Sequence, residues 1–594
     1  TIQQVDLSTA VKVETEVPAF YSDGYQSSDY FKVAIPNLEV GDILDYYRVF
    51  SGNYAGGIEL FISLSRSFPI VHQEFIFDID KLWNFSYNTF NGAPAFEEDP
   101  DGGLDIKSRR RKIVKRFVLE DENRPAQEDI RWDYEYLTKP LLKVGVTPPG
   151  QDRDVIRENL DLTKVIKRSA IRRYFEVNSP FYEYVYSDLR KLDWERMSKA
   201  ELVNTAYHVI RYRFLERYRT STTLAFRRKG PPSVDERSEI QSDVFAGVFA
   251  RVLDKFGIDS KLIVTSPRRF GGLDQAVLER EVTFGLYVPS LDTYYWPMTN
   301  YRRAGEPDPD LQGAKAFELP PRAIRDAKPE LTAITIPESQ PVEHLLRTQT
   351  EVLINADNTL QVALAASFKG AYKEAYSPVF LYSPTYIEED FLELSTEEAI
   401  QKAHRNKKTP TEEELTAISD AKKEAVLNWV KDDYETEELS SFEVLSPGRS
   451  LHAEGELLKV AIAFKVDGAV QKAGPNLIFD IGKLIGGQVQ LEPDEKENRK
   501  NMIELGYART IENEVEVTIP VGYVVAGLDN LVYEVDNPAG AFFATAEQNG
   551  QTLTIKTRKI YKQQKLQPTA WPQLVEMLEA AYEFSQKKVI LKKG

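Results

Sequence analysis

The alternation of apolar and polar residues changes twice along the chain and predicts three regions. Up to about residue 145, short segments rich in β-branched and aromatic residues are separated by turn signals such as Gly56-Gly57. Three of these segments are predicted strands, at residues 31–35, 42–50 and 72–78. Regularly spaced short strands without intervening helices are typical of a sandwich. We therefore expect an N-terminal antiparallel β-sandwich domain over residues 1–148.

The pattern becomes helical after Pro148 and Pro149. Apolar residues recur at helical spacing from residue 153 to about 214, and a further helix is predicted from about 241 to 256, with Gly257 as its stop signal. Strand-like stretches follow at residues 261–265, 283–288 and 294–296. Helices followed by an antiparallel sheet are typical of α+β domains. We therefore expect an α+β core over residues 149–335.

The last region, residues 336–594, returns to a β pattern and predicts one or more β-rich modules. Hairpins are indicated at Asp357-Asn358 and, more strongly, at Asn549-Gly550. A charged helical insertion is predicted near residues 396–431, and a terminal helix over residues 571–584 is expected to dock on the last sheet. The expected fold class is therefore multidomain α+β.

Charge and hydropathy narrow the possible partners. The net charge of −17 repels phosphate backbones, so nucleic acid is not an expected partner. No apolar run approaches the ~18 residues that cross a bilayer. The sequence begins at Thr1 without a signal-peptide pattern, which indicates a removed leader or a fragment. We expect membrane association only through an anchor upstream of Thr1 or through a partner.

The residues available for catalysis are few. Cysteine is absent, which excludes disulfides, thiolate metal sites and a Cys nucleophile within these residues. The five histidines are His72, His208, His344, His404 and His452. No His-Glu-x-x-His, phosphate-binding glycine loop or Gly-x-Ser-x-Gly motif occurs. We therefore expect no cofactor and no metal site.

Several short motifs follow one another in a characteristic order. They are Ile210-Arg-Tyr212, Phe256-Gly-Ile258, Tyr287-Val-Pro289, Tyr295-Trp296, Thr299 and Leu311-Gln-Gly313. In this order they resemble the transglutaminase-like, papain-related superfamily. Residues 38–42 resemble the β-sandwich that precedes this core in many exported bacterial proteins, and residues 517–523 and 571–591 resemble the β-module that follows it. The resemblance implies export to the periplasm or outer membrane, often with an N-terminal lipid anchor.

The chemistry of that family requires three residues. A Cys at the N-terminus of the core helix is the nucleophile, a His on the next strand is its base, and an Asp on the following strand orients the His. Counting along the helix and strands places Ser242, Thr283 and Pro297 at these positions. Because all three differ and no His lies between His208 and His344, the resemblance implies a degenerate triad. Ser242 is more simply interpreted as a helix-start residue, with Asp243 in the first turn.

The leading hypothesis is a non-catalytic binding or scaffolding protein of the bacterial cell envelope, with a protein partner such as an outer-membrane complex and an unknown ligand. One alternative is a peptidase, amidase or transamidase with non-standard residues. Its candidates are Ser242 with a neighbouring carboxylate, or with Lys255, which is expected to lie too far along the same helix to reach Ser242. Another is a carbohydrate-binding protein, since Tyr and Phe number 30 each. An exposed aromatic platform would favour carbohydrate, a basic-rimmed cleft an acidic peptide, and a large apolar patch a protein partner.

Overall fold

The structure is a computed structural model in which residues 1–55 and residues 56–594 form two separate units. It describes residues 57–100, 114–225, 241–382, 412–448 and 457–594, apart from 67, 128–130, 134, 152–154, 177–179, 298–300, 327, 435, 494 and 498. Before Gly57 it describes residues 5, 11–13, 30–32, 35, 39 and 41–50. In the first unit, strands β1 (Val11–Val13) and β2 (Tyr30–Lys32) pair in antiparallel orientation.

Residues 42–50 do not form the predicted strand. The segment is irregular, and the side chains of Ile43, Tyr47 and Phe50 are 76%, 90% and 84% exposed. β-branched and aromatic residues favour a strand only where a neighbour supplies hydrogen bonds and a packing surface. None of the described strands pairs with this segment. The strand prediction is therefore wrong here.

Two three-stranded antiparallel sheets form the β-rich part that begins at Ile58. The first has the order β3 (Ile58–Ser63), β8 (Leu141–Thr147), β5 (Asn84–Phe90), and the second β4 (Ile70–Asp80), β7 (Val114–Arg124), β6 (Glu97–Asp99). The short helix α1 (Glu135–Thr138) precedes β8. The sheets share one core, in which the rings of Phe85 and Phe117 stack at 4.2 Å. This part of the chain is therefore antiparallel β structure, as predicted.

Helices precede a five-stranded antiparallel sheet in the middle region. The described helices are α2 (Leu162–Arg168), α3 (Ile171–Glu176), α4 (Pro180–Lys191), α5 (Lys199–Ala225) and α6 (Ser242–Lys255). The sheet has the order β11 (Thr293–Tyr295), β10 (Thr283–Val288), β9 (Lys261–Thr265), β12 (Lys315–Leu319), β13 (Thr332–Thr335). Helix α6 and strands β9 to β11 lie within one residue of the predicted bounds, and α6 and β10 share one core.

The largest sheet contains eight strands. Its order is β16 (Leu439–Pro447), β17 (Leu458–Val466), β15 (Leu360–Phe368), β14 (Leu345–Ile354), β21 (Arg509–Thr518), β25 (Thr552–Tyr561), β24 (Gly540–Asn549), β23 (Tyr533–Asp536). Neighbouring strands are antiparallel except β14 and β21, which are parallel. Both predicted hairpins are confirmed, and their turns use left-handed backbone at Asn358 and Gly550.

Helices cover the inner face of this sheet. Helices α7 (Ala371–Phe380), α8 (Glu412–Tyr434) and α9 (Trp571–Ser585) share a continuous core with the inward side chains of the strands. The predicted terminal helix and its docking are confirmed by the ring contact of Phe584 with Phe542 of β24. The helical insertion predicted near residues 396–431 is described only from Glu412 onward, since residues 383–411 lie outside the described residues.

Two small antiparallel sheets complete the described strands. One has the order β18 (Val470–Ala473), β19 (Asn476–Phe479), β27 (Val589–Lys593), β22 (Tyr523–Ala526), and the other pairs β20 (Ile503–Glu504) with β26 (Lys565–Leu566). The protein is thus multidomain, with many antiparallel sheets and a terminal helix. Within the described ranges, no helix combines the length and apolar character needed to cross a membrane.

Candidate functional site

Ser242 is the first residue of helix α6 and is half-buried. The preceding Gln241 caps the helix without a side-chain hydrogen bond. The carboxylate of Asp243 accepts hydrogen bonds from the backbone N–H groups of Ala170, at 2.7 Å, and Val244, at 2.8 Å. A negative charge at this end of a helix is stabilised by the helix dipole. Asp243 therefore anchors the start of α6 to the segment that leads into α3.

The three candidate residues Ser242, Thr283 and Pro297 lie at the same end of the five-stranded sheet. Thr283, the first residue of β10, pairs with Thr265, the last residue of β9. Because β11 is antiparallel to β10, Pro297 just beyond β11 returns to the end where Thr283 lies. The connection from α6 to β9 spans only residues 256–260, so α6 runs back along the sheet and Ser242 also lies at this end. Topology thus gathers Ser242, Thr283 and Pro297, and each is half-buried.

None of these three side chains is a base that could activate a neighbouring hydroxyl. A Ser or Thr hydroxyl attacks poorly unless an adjacent base removes its proton, and Pro has no ionisable group. Lys255, the candidate partner for Ser242, occupies the opposite end of the fourteen-residue helix. At 1.5 Å per residue the two positions are about 20 Å apart along the axis. Lys255 therefore does not act on Ser242.

An aromatic cluster fills the interior behind the first turns of α6. Tyr207, Phe245, Phe249 and Tyr295 are at most 2% exposed, and their rings contact one another. The Tyr207 hydroxyl donates to the Trp296 carbonyl at 3.3 Å, and that of Tyr295 donates to Asn204 Oδ1 at 3.3 Å. Burial raises the pKa of both tyrosines, so both stay protonated near neutral pH. They act as hydrogen-bond donors rather than as bases.

Two of the described histidines are fully buried. His208 of α5 packs against the ring of Tyr207, with ring centroids 5.5 Å apart. His344 Nδ1 accepts a hydrogen bond from the N–H of Ala371, the first residue of α7, at 3.0 Å. Burial lowers the pKa of His344 to about 4, so the ring is neutral at pH 7. His404 and His452 lie outside the described residues.

A buried ion pair that sequence reasoning missed joins the predicted sandwich to the predicted core. Lys143 of β8 lies 2.8 Å from Glu281, and both side chains are buried. Lys143 Nζ also donates to the carbonyls of Phe270 and Gln275, at 3.2 and 3.1 Å. Burial lowers the pKa of Lys143. The signal in the sequence is a single Lys inside the apolar run of β8, because such a residue is rarely buried without a partner.

A second buried network joins the core to the C-terminal region. Lys373 of α7 forms an ion pair with Glu306, and its Nζ donates to the carbonyl of Gly448 at 3.2 Å. Although burial opposes it, Lys373 holds the pKa of Glu306 below its usual value. Next to this pair, Arg302 bridges Asp308 at 3.0 Å and Glu374 at 2.9 Å. The network connects the loop after β11 to the third and fourth residues of α7.

A third buried contact involves Arg268, which follows β9. Its guanidinium group forms an ion pair with Glu504 of β20 and donates to the carbonyl of Gly506. It also donates to the Pro309 carbonyl at 2.6 Å. Burial raises the pKa of Glu504. Residues 56–594 form one compact unit. Within this unit, the three networks connect the parts that belong to the three predicted domains.

Metal ligands do not cluster in the part of the chain that the structure describes. No group of three or more His, Asp or Glu side chains there is arranged to hold a metal ion.

Comparison with known proteins gives a family match for the C-terminal region. Residues 477–591 match a domain of unknown function with a solved structure, DUF3858. A crystal structure described as a "putative protease" from Parabacteroides distasonis is similar at a TM-score of 0.39 and 12% sequence identity, over 91% of this chain and 76% of that chain. No curated protein matches the sequence. The family match extends from β19 to β27 and includes four strands of the eight-stranded sheet.

Proposed function

We propose that this chain is a non-catalytic, transglutaminase-like protein that binds a protein partner and acts as a scaffold in the bacterial cell envelope. The observation that carries this proposal is the gathering of Ser242, Thr283 and Pro297 at one end of the five-stranded sheet. In the family that the sequence resembles, a Cys, a His and an Asp occupy these positions. A Ser or Thr hydroxyl attacks poorly unless a base removes its proton, and neither Thr283 nor Pro297 is a base.

The buried ion pairs support the scaffolding role. Lys143–Glu281, Lys373–Glu306 and Arg268–Glu504 each connect parts that are distant in sequence. Removing one partner of a buried pair is costly, so the modules are held in one arrangement. A rigid frame presents its binding surfaces already ordered, which reduces the entropy lost on association.

Exposed apolar side chains on the C-terminal region support a protein partner. Val524 of β22 and Ile590 of β27 are 58% and 43% exposed on the four-stranded sheet, and Val521 in the preceding turn is 84% exposed. Ile590 lies directly opposite Ile478 and Ala526, which continue this apolar surface. Apolar surface of this kind is frequent where proteins associate.

The test is affinity purification of the tagged full chain from its native membranes, followed by identification of the co-purifying proteins. The proposal predicts a stoichiometric partner, and Ser242→Ala is expected to retain it. Recovery of the protein alone, after mild cross-linking as well as without it, would overturn the scaffold role. Loss of a measurable peptidase or transamidase activity in Ser242→Ala would instead establish the enzymatic alternative.

A further inference from the structure

The outer face of the eight-stranded sheet lies opposite the face that packs on α7, α8 and α9. Along β14, exposed Arg347, Gln349 and Glu351 alternate with buried Thr348 and Thr350. Strands β21 and β25 show the same alternation. Side chains at paired positions therefore form rows that run across the sheet, perpendicular to the strands.

A groove of about 270 Å³ crosses four strands on this face. One wall is the row Arg347, Glu512, Arg558 and Phe543, and the other is the row Gln349, Glu514, Lys556 and Thr545. The row between these walls contains Thr348, Asn513, Thr557 and Ala544. These four side chains are buried on the inner face, so the row contributes its backbone as the floor of the groove.

The floor of the groove is held in place from behind. Thr348 Oγ1 donates to Asn513 Oδ1 at 2.7 Å, and Asn513 Nδ2 donates to Thr557 Oγ1 at 3.0 Å. This chain of hydrogen bonds links β14, β21 and β25, and it crosses the parallel junction of the sheet. A ligand in the groove therefore meets a floor that is already ordered, which lowers the entropic cost of binding.

The wall that contains Arg347 and Arg558 carries one net positive charge, and the other wall is neutral. Glu512 lies 2.7 Å from a terminal nitrogen of Arg347 and 3.4 Å from Nε of Arg558. Glu514 lies 2.8 Å from Lys556, whose hydrogen bond lowers the pKa of that carboxyl. Three cations thus face two carboxylates, in a chain whose net charge is −17. Each guanidinium has five N–H donors, more than the shared carboxylate of Glu512 accepts.

We propose that this groove binds a carboxylate-bearing segment of a peptide, with Arg347 and Arg558 donating to the carboxylate and Phe543 contacting apolar atoms. The planar guanidinium matches a carboxylate in two parallel hydrogen bonds. The volume lies just below the range of sites for drug-sized ligands, which fits a short segment. This inference rests on the proposed binding role and assigns an acidic peptide as the chemistry that is recognised.

The direct test is titration of the full chain with N-acetylated triglutamate and, in parallel, with N-acetylated trilysine. We expect triglutamate to bind and trilysine not to bind, with weaker triglutamate binding at high salt. Arg347→Gln together with Arg558→Gln should lower the affinity at least tenfold. Arg558→Lys keeps the positive charge but loses the planar guanidinium that donates two parallel hydrogen bonds. It should lower the affinity for triglutamate less than the double variant does. Equal binding of the two peptides would overturn the proposal.

The matched control is Lys459→Gln together with Lys465→Gln. Both lysines are exposed on β17, at outer-face positions of the same sheet but outside the groove. This variant makes the same change in net charge, so we expect it to keep the affinity for triglutamate. An equal loss in both double variants would show a general charge effect and overturn the site. If the groove double variant still co-purifies with a membrane partner, this inference is overturned and the scaffold role stands. If the chain binds triglutamate but is recovered without any partner, this inference stands and the scaffold role is overturned.

Discussion

Lys143 Nζ and Glu281 Oε1 lie 2.8 Å apart, and the two side chains are 0% and 3% exposed. Glu281 Oε2 accepts hydrogen bonds from the N–H groups of Val277 and Leu278, at 2.7 and 3.1 Å. Both charges are therefore compensated by the protein rather than by water. The pair is stable as long as both members are present, because either charge alone would be buried without its counterion.

Lys143→Met is expected to destabilise the protein by about 3–5 kcal/mol, since it leaves the carboxylate of Glu281 buried without its counterion. Urea unfolding followed by tryptophan fluorescence measures the loss. Arg196→Gln removes one partner of the exposed Arg196–Asp193 pair and should change stability little. Glu281→Gln added to Lys143→Met should recover part of the loss; if the double variant is no more stable than Lys143→Met, the attribution to the unpaired charge is wrong.

The free energy of unfolding should depend on His344 between pH 7 and pH 4. The pKa of His344 in the folded protein is about 4, below the 6.5 of the unfolded chain, so the unfolded state binds more protons in this interval. Stability is therefore highest above pH 6.5 and falls by about 3 kcal/mol as the pH approaches 4. The amide side chain introduced by His344→Asn does not titrate, so this variant should lose that part of the pH dependence. His72→Asn, at an exposed position of β4, is the control and should keep the pH dependence that His344 causes.

Local patterns in the sequence were sufficient for many elements and insufficient for the contacts between them. Helix α6, strands β9 and β10, the two hairpins and the terminal helix follow from periodicity and turn residues over a few positions. The segment 42–50 has the composition of a strand, but pairing depends on a neighbour that the composition does not specify. A local sequence pattern therefore predicts a strand correctly only where another strand is positioned to pair with it.

In the candidate site as well, local patterns predict single positions but not the contacts between distant segments. Ser242, Thr283 and Pro297 were chosen by counting along one helix and two strands, and the register of β9, β10 and β11 brings Thr283 and Pro297 to one end of the sheet. The Lys143–Glu281 pair joins residues 138 positions apart, so no local pattern predicts its second member. The outer groove depends on the register between β14 and β21, which the sequence pattern did not reveal.

Gly247→Ala should destabilise the protein although Ala favours a helix. A Cβ at this position of α6 would lie 2.9 Å from the Ile171 carbonyl oxygen and 2.9 Å from Tyr174 Cβ, so α3 and α6 would have to separate. Overpacking of this kind costs about 1–3 kcal/mol, which exceeds or cancels the gain of about 1 kcal/mol in helix propensity. Thermal unfolding shows whether Gly247→Ala lowers or raises the stability of the protein. Lys255→Ala, at the exposed end of α6, is the control and should leave the stability unchanged. A Gly247→Ala protein more stable than wild type would contradict the close packing of α3 and α6.

Installing the family residues tests the placement of the three positions. The triple variant Ser242→Cys, Thr283→His, Pro297→Asp contains a single thiol, because residues 1–594 include no Cys. If the three side chains meet, the His should lower the pKa of the thiol and accelerate its alkylation by iodoacetamide near pH 6.5. Ser242→Cys alone is the control for exposure. Equal alkylation rates in the two variants would show that the three positions do not form a triad.

The parallel pairing of β14 with β21 also has a consequence for biosynthesis. The hydrogen bond from Thr348 to Asn513 spans 165 residues of chain. At roughly 5–20 residues per second, the ribosome needs about 8–33 s to deliver β21 after β14 has been made. During that time β14 has one open edge, although its hairpin partner β15 is already available. Arg347 and Glu351 are charged residues on the outer face of β14. Because charged side chains oppose edge-to-edge association, they make the unpaired edge of β14 less prone to pair with other nascent chains.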